Sequence, residues 1–179
     1  SDFMKAAFSI MALCFAAACG GAGGSTSTIS TSSAPIAIED LPQIAVSDAP
    51  SETFTSLIND VRSDAGVQPL SYDTRLGAAA RRHANDMHAN DFFEHQGSDG
   101  STVGTRVSDE GYSYWSVGEN IAWGHSNEAA VLQGWQESTT GHRENNENSQ
   151  FEHFGLAKAG DSSNRYWVLV LADPRIENP

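Results

Sequence analysis

The chain has only two cysteines in 179 residues, Cys14 and Cys19, so no disulfide framework can staple it. It has few cations: 10 Lys and Arg face 23 Asp and Glu, for a formal charge of -13. Phosphate binding needs a clustered basic excess, and its lack excludes nucleic acid as a partner. No apolar run is long enough to span a bilayer comfortably. What is present suffices for one core of ordinary size, since 39% of the residues are hydrophobic.

The N-terminus reads as an address. Met4-Lys5 precedes the uncharged apolar residues 6–18, the length of a signal h-region, and 1–18 is expected to be a signal peptide of lipoprotein type. The stretch ends in Ala16-Ala17-Ala18-Cys19, which resembles a bacterial lipobox with Ala16 where Leu is usual. Cys19 is the expected lipidation site and the only cysteine left after cleavage; the same small residues also suit ordinary signal cleavage and free secretion. Loss of Asp2 and Lys5 with the leader leaves the charge at -13. Residues 19–50 are expected to form a flexible tether, nearly all Gly, Ser, Thr and Ala over 20–33 and carrying Pro35, Pro42 and Pro50 thereafter.

Periodicity begins at Ser51 and marks a domain over 51–175. Phe54, Leu57, Ile58 and Val61 form one helical stripe, with Ser51 as N-cap and Gly66 as stop. Asp73 caps a second helix whose inner face carries Leu76, Ala79, Ala80, His83 and Met87. A third is expected over 101–110, ended by Gly111, and a fourth starts at Ser126 and turns Val131, Leu132 and Trp135 inward. Strands are expected over 120–123, 154–159 and 165–172, the last two joined by a turn over 160–164. Tyr166-Trp167-Val168-Leu169-Val170 is apolar on both faces and belongs at the centre of a sheet covered by helices on both sides. The expected fold is α+β, a layered helix-sheet-helix sandwich.

Polar residues interrupt this pattern at three junctions. His95 lies on a loop past the second helix, Glu119 directly before an apolar strand, and His142 near the end of the fourth helix, so all three can converge at one edge of the sheet. The other histidines have blander readings: His83 as a hydrogen-bonded core residue, His88 and His125 as exposed, His153 as structural. Trp123, Trp135 and Trp167 read as core, and Tyr112, Tyr114 and Trp115 as an aromatic loop able to line a pocket. Ser138 and His142 stand four apart without a G-x-S-x-G elbow, and His83 and His88 lack an H-E-x-x-H helix, which argues against a serine hydrolase and a zincin.

The order Phe93-x-His95, Gly118-Glu119-Asn120-Ile121, Trp135-x-x-Ser138, Gly141-His142-Arg143-x-Asn145, Phe151-x-His153-x-Gly155 and Tyr166-Trp167 resembles the CAP superfamily of cysteine-rich secretory proteins, antigen 5 and pathogenesis-related proteins, most of all its bacterial members. The resemblance implies a three-layer α-β-α sandwich with a central, mainly antiparallel sheet and a cleft of two histidines and two acids. His95, Glu119 and His142 match three of those positions. Ser138 stands at the fourth, with Glu137 beside it and Glu144 as an unaligned candidate.

Such a set supports more than one chemistry. His95 and His142 are candidate ligands for a divalent cation such as Zn²⁺, with Glu119 the candidate base of a metal-assisted, peptidase-like hydrolase. The same residues, with Ser138, equally form a polar cleft without metal. The expectation is an extracytoplasmic protein, lipid-anchored to the envelope or secreted, that acts as a non-catalytic binding module for a small molecule, lipid or envelope component and touches the membrane through its anchor alone. An envelope scaffold with an idle cleft is the third alternative.

Overall fold

The computed structural model describes residues 52–161 and 164–175; the leader, Cys19, the tether and the Ser51 cap lie outside the described residues. Among the described residues five helices and four strands follow one another: α1 (Glu52–Asp64), β1 (Ser71–Tyr72), α2 (Thr74–Asn90), α3 (Val103–Asp109), β2 (Tyr114–Trp123), α4 (Glu128–Gln136), α5 (His142–Asn146), β3 (His153–Ala159) and β4 (Tyr166–Pro174). The sheet order is β1-β3-β4-β2, antiparallel except for the short β1–β3 pair.

The double-sided apolarity of β4 builds the three layers. Side chains alternate along a strand. Trp167, Leu169 and Leu171 therefore enter one core with Phe54 and Ile58 of α1 and Val131, Leu132 and Trp135 of α4. Val168, Val170 and Ala172 enter the other, with Leu76, Ala79, Ala80, Ala84 and Met87 of α2. The small alanines bring α2 close to the sheet. Asp73 caps α2 by accepting from Arg75 N, and Gly66, at φ 71°, stops α1.

Several local expectations change. The caps of α3 and α4 are Thr102 and Asn127, one residue beyond Ser101 and Ser126. β2 begins at Tyr114, so Tyr114 and Trp115 belong to a strand rather than a loop, while Tyr112 is buried and its hydroxyl meets His153 Nδ1 at 2.8 Å. Glu119 accordingly sits within a strand. Helix α4 ends at Gln136, and His142 opens the separate helix α5 behind Gly141. Trp123 lies at the exposed end of β2, its indole N–H donating to Asn164, and His125 is half-buried, its carbonyl accepting from Trp167 Nε1.

Candidate functional site

The alternation of β2 sorts its central residues between the two layers. Val117 and Ile121 pack on the α2 side and Ala122 on the α1/α4 side, so Glu119 faces α2 and α3 while Asn120 faces α4 and α5. Gly118 leaves room for the second layer, because a Cβ there would sit 3.0 Å from Phe151 Cζ and 3.3 Å from Asn145 Oδ1.

On the first face, Glu119 has both oxygens engaged. Oε1 lies 2.8 Å from His95 Nδ1 and Oε2 accepts from Arg106 Nη2 at 2.7 Å. The Glu119 side chain is 2% exposed and that of His95 59%, so a buried carboxylate backs an imidazole that reaches solvent. Arg106 is buried as well, and also donates to the carbonyls of Ser101 and His95. A carboxylate already paired with a guanidinium is an acceptor only. The His95 ring therefore donates its Nδ1–H to Glu119 and turns Nε2 outward. The residue missing from the sequence reading is Arg106. Its signal was its place between Val103 and Val107 on the inner stripe of α3.

Backbone bonds fix where His95 stands. His83, fully buried on α2, donates Nε2–H to the carbonyl of Glu94 at 2.9 Å, and Arg106 takes the next carbonyl. Asp86 holds the following turn by accepting from Ser98 N and Ser98 Oγ. The core reading of His83 holds, with one addition: its Nε2 lies 3.9 Å from Glu119 Oε1, so it borders the same carboxylate.

Where α4 gives way to α5, His142 Nδ1 meets Ser138 Oγ at 2.9 Å, and Ser138 Oγ meets Thr140 Oγ1 at 3.0 Å. Asn120 Nδ2 donates to His142 O and to Asn146 Oδ1, and its Oδ1 accepts from Asn145, so the motif asparagines lock α5 onto β2. Arg62, buried on α1, holds the segment that follows by donating to the carbonyls of Asn146, Asn148 and Phe151. Glu137 accepts from Gln133, and Glu144 reaches His142 only through its charge. Burial, and next the like charge that His95 would carry when protonated, hold the His142 imidazole below its ordinary pKa. The two histidines thus belong to separate hydrogen-bonded pairs that sense one another electrostatically.

A metal centre with Glu119 as a ligand does not match this arrangement. Arg106 and His95 already use both oxygens, and among the described residues no three His, Cys, Asp or Glu side chains gather as ligands. A separate polar groove of about 230 Å³, lined by Val61, Asp64, Ala65, Gln136, Arg143 and Glu147, includes none of His95, Glu119 and His142.

Acid should weaken the fold through His83. Burial lowers its pKa, so the folded state resists a proton that the unfolded state accepts near the ordinary value of about 6.5. The unfolded chain then binds more protons, and stability rises with pH. The loss should begin as pH falls through about 6.5 and steepen towards about 1.4 kcal/mol per pH unit from this group. Urea midpoints at pH 7.5 and 5.5 test this, and a His83→Gln variant should show a smaller difference. An equal difference in parent and variant would exclude His83 as the source.

An α-β-α sandwich with an imidazole-carboxylate pair and an imidazole-hydroxyl pair beside its edge strand defines the class of this domain. The model of the CAP family, the cysteine-rich secretory protein family, matches residues 55–171, and the chain belongs to that family. It is 35% identical over 100 residues to YkwD of Bacillus subtilis, covering 56% of this chain and 38% of that protein. An extracellular SCP-domain protein from Bacillus anthracis is similar in structure at 30% identity and TM-score 0.61, over 78% of this chain and 45% of that one. An outer surface protein of Borrelia burgdorferi shares the fold at 20% identity and TM-score 0.63, over 69% of this chain and 91% of that one. The chain thus spans less than half of the first two relatives. No cysteine occurs among its described residues. Buried guanidinium clamps such as Arg62 tie its segments together instead.

Proposed function

We propose that this domain is an extracytoplasmic binding module that takes a small molecule, lipid or envelope component in the cleft of His95, Glu119, Ser138 and His142. The observation that carries this reading is the double engagement of Glu119. A carboxylate tied to buried Arg106 and to His95 is a fixed part of the site rather than a free base for water, and it presents one imidazole to solvent in a set tautomer. Similarity to the extracellular protein of Bacillus anthracis supports the location.

Native mass spectrometry of protein purified from its own envelope tests the reading. A retained ligand that is lost in a His95→Ala, His142→Ala double variant supports it. Stoichiometric zinc lost in that variant, together with peptide turnover lost in Glu119→Gln, would replace it with the metal-assisted hydrolase.

Attachment is proposed to run through a lipid on Cys19, motivated by Ala16-Ala17-Ala18-Cys19 and the Gly/Ser/Thr-rich segment after it. Full-length Cys19→Ser protein is expected in the soluble fraction and the parent with membranes. Equal membrane recovery of both would refute the anchor.

A further inference from the structure

Three large hydrophobic side chains stand exposed among the described residues: Phe93 at 49%, Trp115 at 67% and Trp123 at 55%. Two of them are close in chain to the His95–Glu119 pair. Extended chain covers at most about 3.5 Å per residue, so the Phe93 Cα lies within about 7 Å of the His95 Cα, and the Trp115 Cα within about 14 Å of the Glu119 Cα. Trp123 ends the other half of β2, its indole N–H occupied by Asn164.

Trp115 is also held in an unusual way. The β2–β4 register passes from Tyr114↔Pro174 to Ser116↔Asp173, which leaves Trp115 as the extra residue of a β-bulge. Bulges beside sites re-aim a side chain. The guanidinium of Arg175 sits 5.0 Å from the Trp115 ring centroid, fixing the ring while most of the residue faces solvent. A large aromatic ordered in advance loses little entropy when a ligand covers it.

The polar groups of the cleft have a distinctive character. Arg106 and Glu119 cancel each other's charge, and His95 turns its Nε2 away from the carboxylate that holds its Nδ1. In the Ser138–Thr140 hydrogen bond either hydroxyl can be the donor, and Ser138 passes that choice to His142. The matching ligand group is neutral and both donates and accepts, which is the alcohol hydroxyl. A lipid tail calls for a contiguous apolar pocket, whereas Phe93 and Trp115 are exposed on different elements, a loop and a strand. Rings with an apolar face and a rim of hydroxyls match both features.

We propose that the cleft and Trp115 together bind a neutral saccharide chain, one ring stacked on Trp115, Phe93 offering a second contact, and hydroxyls bonded to His95 and the Ser138–His142 pair. This rests on the binding reading above and names its ligand class. Calorimetric titration of the full chain with chitohexaose, cellohexaose and maltohexaose tests it. At least one should bind saturably, about tenfold more weakly in Trp115→Ala and in His95→Ala, with recovery in Trp115→Phe and no change in Trp123→Ala. No saturable binding of any of the three, or parent-like binding by Trp115→Ala, overturns the proposal. A non-saccharide envelope ligand lost in His95→Ala would overturn it while leaving the cleft reading intact. Saccharide binding lost in Trp115→Ala but kept in His95→Ala would support the stacking platform and overturn the cleft reading.

Discussion

Replacing Arg106 by Met should cost about 3–5 kcal/mol, because it strands the Glu119 carboxylate in a buried site with its cationic partner gone. The loss has two further parts: the carbonyls of Ser101 and His95 each lose a donor, and the turn that carries His95 loosens. The cost is mostly that of an uncompensated charge, so it should be non-additive. The double variant Arg106→Met, Glu119→Gln removes both charges and should recover a substantial part of the loss. Arg82 is the natural control, since its ion pairs with Asp99 and Asp109 lie at the surface, where solvent screens them. Its substitution by Met should shift the urea midpoint far less. Equal losses for Arg82→Met and Arg106→Met, or a double variant as unstable as the sum of its parts, would mean that the buried pair is not what holds the cleft together.

Arg106 also marks where sequence reading stops. The helices were legible because apolar residues recur at helical spacing, and β4 was legible as central because Trp167 to Val170 leave no polar face. Helix α5 and strand β1 are too short to carry a period, so His142 was expected beside the end of α4 rather than at the start of a new helix. Arginines on helices read as solvated. Arg62 and Arg106 are buried because their partners are carbonyls, or one distant carboxylate, that only the fold brings near. The sequence pattern named His95, Glu119, Ser138 and His142, but not their division into an imidazole-carboxylate and an imidazole-hydroxyl pair, and the start of β2 at Tyr114 was hidden by polar Ser116 and by Gly118. Trp123 misled for a related reason: apolarity places a residue in a strand without showing that the strand has reached its exposed end.

Gly155→Ala should force α2 and β3 apart. A Cβ on Gly155 of β3 would lie 2.1 Å from Leu76 C, 2.2 Å from Gly77 N and 2.5 Å from Leu76 O, all backbone atoms of α2. No rotamer change relieves a clash between a Cβ and a helix backbone, so α2 must move away from the sheet. That opens gaps beneath Ala79, Ala80 and Ala84, which are packed without exposure. The expected cost is at or beyond the upper end of the roughly 1–3 kcal/mol usual for overpacking. The effect should also reach the cleft, because α2 carries His83, whose Nε2–H holds the carbonyl of Glu94 next to His95. Gly66 separates this clash from the general cost of losing a glycine: it has φ 71°, and a Cβ there would meet nothing within 4 Å. Gly66→Ala should cost only the left-handed backbone strain of about 1–2 kcal/mol and leave the environment of His95 unchanged. Urea unfolding of both variants, with the His95 imidazole resonances read by NMR, compares them directly. Should Gly155→Ala prove no less stable than Gly66→Ala, with parent-like His95 resonances, then close approach of α2 to β3 is not what positions the cleft.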